Sequence, residues 1–252
     1  MVKDGHYALK QLRCRSRVIA WGHTARFRTA LGLAGTRTGS LLDYGCGDGT
    51  FLGMVAHRWT HCVGTDLDAE QLEDCRQRFT DVPNVRFLTT DALAAPEHRY
   101  AYELVICMET LEHCPPPAVE IVLGDLARCV RPDGRVIISV PVETGPAFIL
   151  KYVVRTLAAW RGLSDYRSYE RYSVRDALRM ILATRRTTIS RPIYGASDVP
   201  FHSHYGFNWR LLRDRVETQF IIDRVLFSPI TLPGGWLASQ AWLVCNPRVE
   251  DA

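Results

Sequence analysis

The stretch LLDYGCGDGT, residues 41–50, sets three glycines at alternate positions behind a short apolar run ending in an acid. Gly45, Gly47 and Gly49 are interleaved with Cys46 and Asp48. The spacing differs from the dinucleotide fingerprint G-x-G-x-x-G, whose third glycine would fall at Thr50. It reads as a strand running into a tight turn, where the backbone comes close to a ligand without side chains in the way. The helix that follows offers free N–H groups and a partial positive charge, suited to a carboxylate.

Strands and helices alternate outward from this loop. Residues 40–44 read as a first strand and 50–58 as a short helix; 61–66 (HCVGTD) are a second strand, followed by a helix over 69–79. VRFLT (85–89) is a third strand, and YELVICM (102–108) a fourth, apolar almost throughout, as a strand buried on both faces should be. A helix near 117–130, a turn at RPDG (131–134) and a strand over 135–140 complete the series. This rhythm predicts an α/β fold built on a parallel sheet with helices on both faces.

The rhythm breaks after Pro141. It resumes with a helix at GFNWRLLRDRVETQF, a strand at FIIDRVLF and a last strand at ASQAWLVC. The intervening sixty-odd residues far exceed an ordinary loop and read as an inserted substrate cover. The expected organisation is an N-terminal helical segment, 1–37, with two helices over 7–33; a ligand-binding core, 38–141; the insertion, 142–206; and a completion of the sheet, 207–252, giving about seven strands. In the insertion, Lys151 and Arg155 share one helical face at i and i+4, with Leu150, Val153, Val154, Leu157 and Ala158 opposite.

Composition narrows the class. The chain has 252 residues, 47% hydrophobic and 23% charged, which is ordinary globular usage and excludes general disorder. No apolar run is long enough to span a bilayer, and the first residues lack the apolar core of a secretory signal. Eight cysteines include no C-x-x-C pair, and three sit in strand-like runs, so a reducing, cytoplasmic compartment is expected. The net charge of +4 conceals two basic segments. Residues 1–37 hold eight Lys or Arg against one acid, and 148–191 hold ten against three, while the rest is net acidic. That clustering favours an anionic partner.

Two acids extend the glycine loop into a site. Asp66 ends the second strand some twenty residues on, where a carboxylate can accept from both hydroxyls of a ribose. Asp91 lies just past the third strand, placed to accept from an adenine amino group. LLDYGCGDGTFL, VGTDLD, TTDAL and ELVICMETLEHC, in that order, resemble the motifs of class I S-adenosylmethionine-dependent methyltransferases, with a Rossmann-like sheet, over residues 38–141. The resemblance implies S-adenosylmethionine as cofactor. It implies contacts at Asp43, Gly45, Cys46, Gly47, Asp66, Leu67, Asp91, Ala92, Met108 and Glu109. Gly49 has a plainer reading in helix packing, and Asp43 in bracing the loop.

METLEHCPPP (108–117) places Glu109, Glu112 and His113 at i, i+3 and i+4, on one face if the segment is helical. It resembles the same segment of ubiquinone-pathway O-methyltransferases, within the methyltransferase type 11/23 group, and of methyltransferases acting on small-RNA 3′ ends. In both, E-x-x-E-H can hold a divalent metal. The RNA enzymes add a later histidine, matched loosely here by His202 and His204 before GFNW, so a metal-free site is preferred over one using Glu109, Glu112, His113 and His204. His113 is the candidate general base, since its ordinary pKa suits proton removal near neutrality.

The remaining segments resemble uncharacterised bacterial methyltransferases, some associated with polysaccharide or lipid biosynthesis. Tyr7, Lys10, His23 and Arg26 either line the site or are exposed cations of an amphipathic helix. The expected activity is methyl transfer, foremost to oxygen, on a small-molecule, glycan or lipid-linked acceptor of anionic character. The inserted helix is expected to pack on the sheet or the N-terminal helices; the alternative is a lid that rests peripherally on the inner membrane surface. A nucleic-acid substrate is not favoured, because no RNA-binding module is recognisable. An RNA methyltransferase with a divalent metal and a non-catalytic cofactor-binding protein remain as alternatives. The identity of the acceptor and the oligomeric state are not legible.

Overall fold

In the computed structural model, which describes residues 5–6, 12, 17–36, 39–160, 172–195, 200–231 and 235–248, the alternating runs become one sheet. Its strands are β1 (Ser40–Tyr44), β2 (His61–Asp66), β3 (Val85–Thr89), β4 (Tyr102–Met108), β5 (Val130–Pro141), β8 (Phe220–Ser228) and β9 (Gln240–Pro247). The order is β3-β2-β1-β4-β5-β9-β8. The first five strands are parallel, while β9 runs antiparallel to both β5 and β8. The expected sheet is thus mixed at one edge. The reversal places the start of β9 at the carboxyl end of β5, with Gln240 opposite Pro141.

Alternation along the strands builds two cores. Leu42, Val105, Cys107, Val136, Ile138 and Val140 point to one face, under α4 (Pro116–Cys129) and α7 (Trp209–Gln219). Leu41, Leu104, Ile106, Ile137 and Trp242 point to the other, under α1 (Arg17–Ala34), α2 (Thr50–Val55) and α3 (Ala69–Arg78). Side chains of period two and helices of period 3.6 make this sandwich the way to bury both sheet faces. The RPDG turn survives as a register break inside β5: Tyr102 pairs with Val130, but Leu104 pairs with Arg135.

The insertion holds α5 (Pro146–Trp160), α6 (Val174–Ile181) and a small hairpin of β6 (Ile193–Tyr194) and β7 (Phe201–His202). Of the two expected N-terminal helices, α1 is present. The earlier one, with Tyr7 and Lys10, lies outside the described residues, as does the Arg155 side chain. The expected cationic face of α5 is corrected at Lys151. Its ammonium turns inward, 3.0 Å from the buried Glu143 carboxylate and 3.0 Å from the Ser239 carbonyl. The seven described cysteines are all free thiols.

Candidate functional site

The glycine loop forms because its three glycines all adopt positive φ, at 74°, 53° and 70°. Each is placed differently. A Cβ at Gly45 would strike Thr110, and one at Gly49 would press on the rings of Phe79 and Phe87, so Gly49 does serve packing. At Gly47 the nearest neighbour is 3.7 Å away, leaving an open cradle. The loop is tied to β2: Gly45 N and Cys46 N both donate to the Thr65 carbonyl, at 2.8 and 2.9 Å. Gly47 N donates to Asp66 Oδ2 at 2.9 Å, and Asp68 N to Asp66 Oδ1 at 3.1 Å. At the start of the next helix, Asp48 Oδ1 accepts from Thr50 N at 3.1 Å and from Thr50 Oγ1 at 2.6 Å.

Above the loop lies a cavity of about 340 Å3, lined by Asp43, Gly45, Cys46, Gly47, Met108 and Glu109 of the expected residues. His6, Arg26, Phe27 and Gln71 also line it. Asp66 joins through its bond to Gly47. Leu67, 71% exposed, follows it at the rim, while Asp91 and Ala92 lie just beyond the β3 end and do not line the cavity. Burial, helped by the nearby Asp66 charge, pushes the Asp43 carboxyl up to about 8. Its Oδ2 has no hydrogen-bond partner. Burial raises the Cys46 thiol well above its ordinary value. A side-chain hydrogen bond from Thr89 holds the exposed Asp91 low. A buried carboxyl with one oxygen lacking a hydrogen-bond partner, beside an open glycine cradle, fits a cationic ligand such as S-adenosylmethionine, which would favour its ionised form.

The segment after β4 departs from the expected helical turn. Three consecutive prolines, 115–117, confine the helix start to Pro116, because proline is tolerated only in a first turn. Glu109 sits before it at φ 53°, and so parts from Glu112 and His113. Its carboxylate pairs with Arg26 at 2.9 Å and accepts from Gln240 Nε2 at 3.1 Å. Glu112 is fully buried with neither oxygen bonded, and burial together with the Glu109 charge raises its pKa strongly. Burial lowers the His113 pKa.

The insertion is stitched to this turn. His202 N donates to the His113 carbonyl and His113 Nδ1 donates to the His202 carbonyl, each at 2.8 Å. Arg191 donates to the carbonyls of Glu112, Ser203 and Tyr205. These bonds bring His204 to His113, ring centroids 5.1 Å apart. Ligand atoms of Glu112, His113 and His204 fall within 4.8 Å of one another, while Glu109 stays with Arg26 and Gln240. One carboxylate and two imidazoles suit a divalent ion in donor type.

A second cavity, about 230 Å3, adjoins the first, and Arg26 and Glu109 line both. Its walls are largely apolar, with Trp21, Leu150, Val154, Ile230 and Leu237, and its polar groups include His23, Lys151, His204 and Gln240. His113 lines neither cavity. Of the four N-terminal candidates, His23 and Arg26 line cavities, the first of their two readings, while Glu143 and Gln240 were not singled out because their partners lie far along the chain.

Residues 41–134 match a methyltransferase-domain family model. The ubiquinone biosynthesis O-methyltransferase of Aeromonas salmonicida is 36% identical over 126 residues, 48% of this chain and 50% of that protein. Its counterpart from Aromatoleum aromaticum is 33% identical over 149 residues, 56% and 61%. The chain thus spans about half the length of the curated relatives it matches. Among solved structures, the PH0226 protein of Pyrococcus horikoshii OT3 shares the fold at TM-score 0.59 and 14% identity, over 98% of this chain and 100% of that one. A geranyl diphosphate C-methyltransferase of Streptomyces coelicolor, solved with S-adenosyl-L-homocysteine, superposes at TM-score 0.50 and 13% identity, over 88% and 78%. With the glycine cradle, the acids at the ends of β1 and β2 and the seven-stranded sheet, the chain has the α/β fold of class I methyltransferases, and its residues 41–134 match the methyltransferase-domain family.

Proposed function

We propose that the protein transfers a methyl group from S-adenosylmethionine to a small-molecule acceptor, foremost to a hydroxyl oxygen. The observation that carries this reading is the pair of adjoining cavities with a common wall at Arg26 and Glu109. One lies over the glycine loop; the other is apolar with few polar groups, as acceptor sites are. When bound, the cofactor supplies an electrophilic methyl group on a cationic sulfur. The chain's part is to hold donor and acceptor in line and to keep water out. Asp66 would accept from the ribose hydroxyls and Asp91 from the adenine amino group, with Asp43, Leu67 and Ala92 as further contacts, as the resemblance implies.

His113 is the proposed base; it lines neither cavity itself, and the acceptor would reach it beside His204, which lines the second cavity with its ring centroid 5.1 Å from that of His113. Its Nδ1 is committed to the His202 carbonyl, which leaves Nε2 as the proton-accepting nitrogen, and its lowered pKa keeps the ring neutral near pH 7. No step requires a metal. The acceptor is proposed to carry an apolar, lipid-like portion and anionic character. Trp21, Leu150 and Leu237 are exposed at the mouth of the second cavity, and residues 148–191 are strongly basic. No helix among the described residues is long and apolar enough to cross a membrane.

Methyl transfer from labelled cofactor into pools of hydroxylated arenes, glycans, lipids and RNA tests the reading. Incorporation into a hydroxylated small molecule, persisting in EDTA, is expected. Label appearing only in RNA, or lost with EDTA and restored by Mg2+, would favour the metal-dependent alternative. Asp66→Ala should weaken cofactor binding more than about tenfold in calorimetry, through loss of a charged acceptor. Unchanged affinity in a folded variant would refute the cofactor assignment.

A further inference from the structure

Gln240 opens β9 and is 7% exposed, yet it lines the second cavity. Its amide orientation is fixed by what it touches. The neighbouring Glu109 carboxylate, ion-paired with Arg26, can only accept, so Gln240 must turn its NH2 toward it, at 3.1 Å. The remaining atom, Oε1, is buried with no hydrogen-bond partner. Glu109 Oε1 is in the same condition at the same wall. Buried acceptors without donors are uncommon in folded proteins, because each loses its water for nothing.

We propose that Gln240 reads the methyl acceptor: its Oε1 receives a hydrogen bond from an O–H or N–H of the bound molecule. The inference rests on the methyltransferase reading and deepens it by naming the substrate class. The second cavity takes apolar-bodied alcohols, phenols or amines and rejects the matching ethers, which have no proton to give. Glu109 and Arg26 act through Gln240 as a brace. With Nε2 held on the carboxylate, the amide cannot flip to present a donor, so the preference is built into the wall. Sites that bond a substrate hydroxyl discriminate strongly against analogues lacking it, since their polar groups are left unpaired.

The test uses calorimetry on the full chain saturated with S-adenosylhomocysteine. The probes are 4-ethylphenol and 4-ethylanisole, alike in apolar body and different in the donor. The wild-type protein is expected to bind the phenol at least about tenfold tighter. Gln240→Met, close in size and without the amide, is expected to bring the ratio near one while leaving S-adenosylhomocysteine affinity unchanged. A merely structural role would lower both probes equally and keep the ratio. Equal binding of the two probes by the wild type, binding of neither, or a ratio preserved in Gln240→Met overturns the proposal. Should the variant fail to fold, the wild-type ratio decides alone. Failure of the wild type to bind S-adenosylhomocysteine would overturn the methyltransferase reading and this inference together, whereas retained binding with a ratio near one overturns this inference only.

Discussion

Asp43 shows how a single residue couples the site to pH. Its carboxyl is raised from an ordinary 3.8 to about 8 by burial, so the folded chain holds a proton that the unfolded chain has released. The stability tied to that proton is complete below pH 3.8 and is lost as pH rises through about 8. Asp43→Asn should flatten this decline, and denaturant titrations between pH 5 and about 8 measure it; parallel slopes in the two proteins would contradict the assignment. A cationic ligand reverses the preference by favouring the ionised carboxylate. Cofactor binding should therefore release a proton and tighten toward pH 8, visible in calorimetry as heats that change with buffer ionisation enthalpy. The glycines and Asp66 were legible in the sequence because their geometry is local, set within one turn and one strand end. Glu109 was legible as a candidate, and it lines both cavities, but its direction was not, because the prolines behind it prevent the helical turn its spacing suggests. Gln240 was hidden by the 131 residues separating it from Glu109.

At the scale of elements, strands were read well because both faces are buried and their apolar runs are nearly continuous. The antiparallel turn of β9 was not readable, since alternation looks the same in either direction. The inserted helix α5 was recognised as amphipathic, but the partner of its cation was not. Lys151 reaches Glu143, 2% exposed, and the Ser239 carbonyl, joining α5 to the start of β9. Removing one member of a buried pair leaves the other charged and poorly solvated. Lys151→Ala should cost about 2 kcal/mol of stability. A thermal or urea midpoint equal to that of the wild type would show the pair to be dispensable.

The whole molecule presents one unusual surface. Ile149, Leu150, Val153, Leu157 and Trp160 of α5 are all at least 43% exposed, and Trp21, Trp236 and Leu237 add further apolar surface. Tryptophans around an apolar patch are the composition of interfacial contact. Flotation with anionic and neutral vesicles tests the proposed membrane contact. Binding to anionic vesicles that Leu157→Lys with Trp160→Lys abolishes is the expected result; no flotation with either lipid would leave a freely diffusing acceptor. Lys151, being inward, does not supply the cationic contact that its helical spacing with Arg155 suggests.

The segment ahead of the sheet bears on the speed of turnover. His6, Arg26 and Phe27 form part of the cofactor cavity, and Gly5 packs so closely on Asp48 that a Cβ there would fall 2.2 Å from its carboxylate. In the proposed reaction, spent cofactor leaves a cavity partly walled by these groups, and its departure, rather than methyl transfer itself, is expected to set the steady-state rate. Rapid-quench measurements with excess cofactor should then show a burst of about one equivalent of methylated product before a slower linear phase. Gly5→Val, which crowds Asp48, should displace the neighbouring His6 from the cavity wall and raise the linear phase relative to the burst. A linear trace from the first turnover would place the slow step in the chemistry instead.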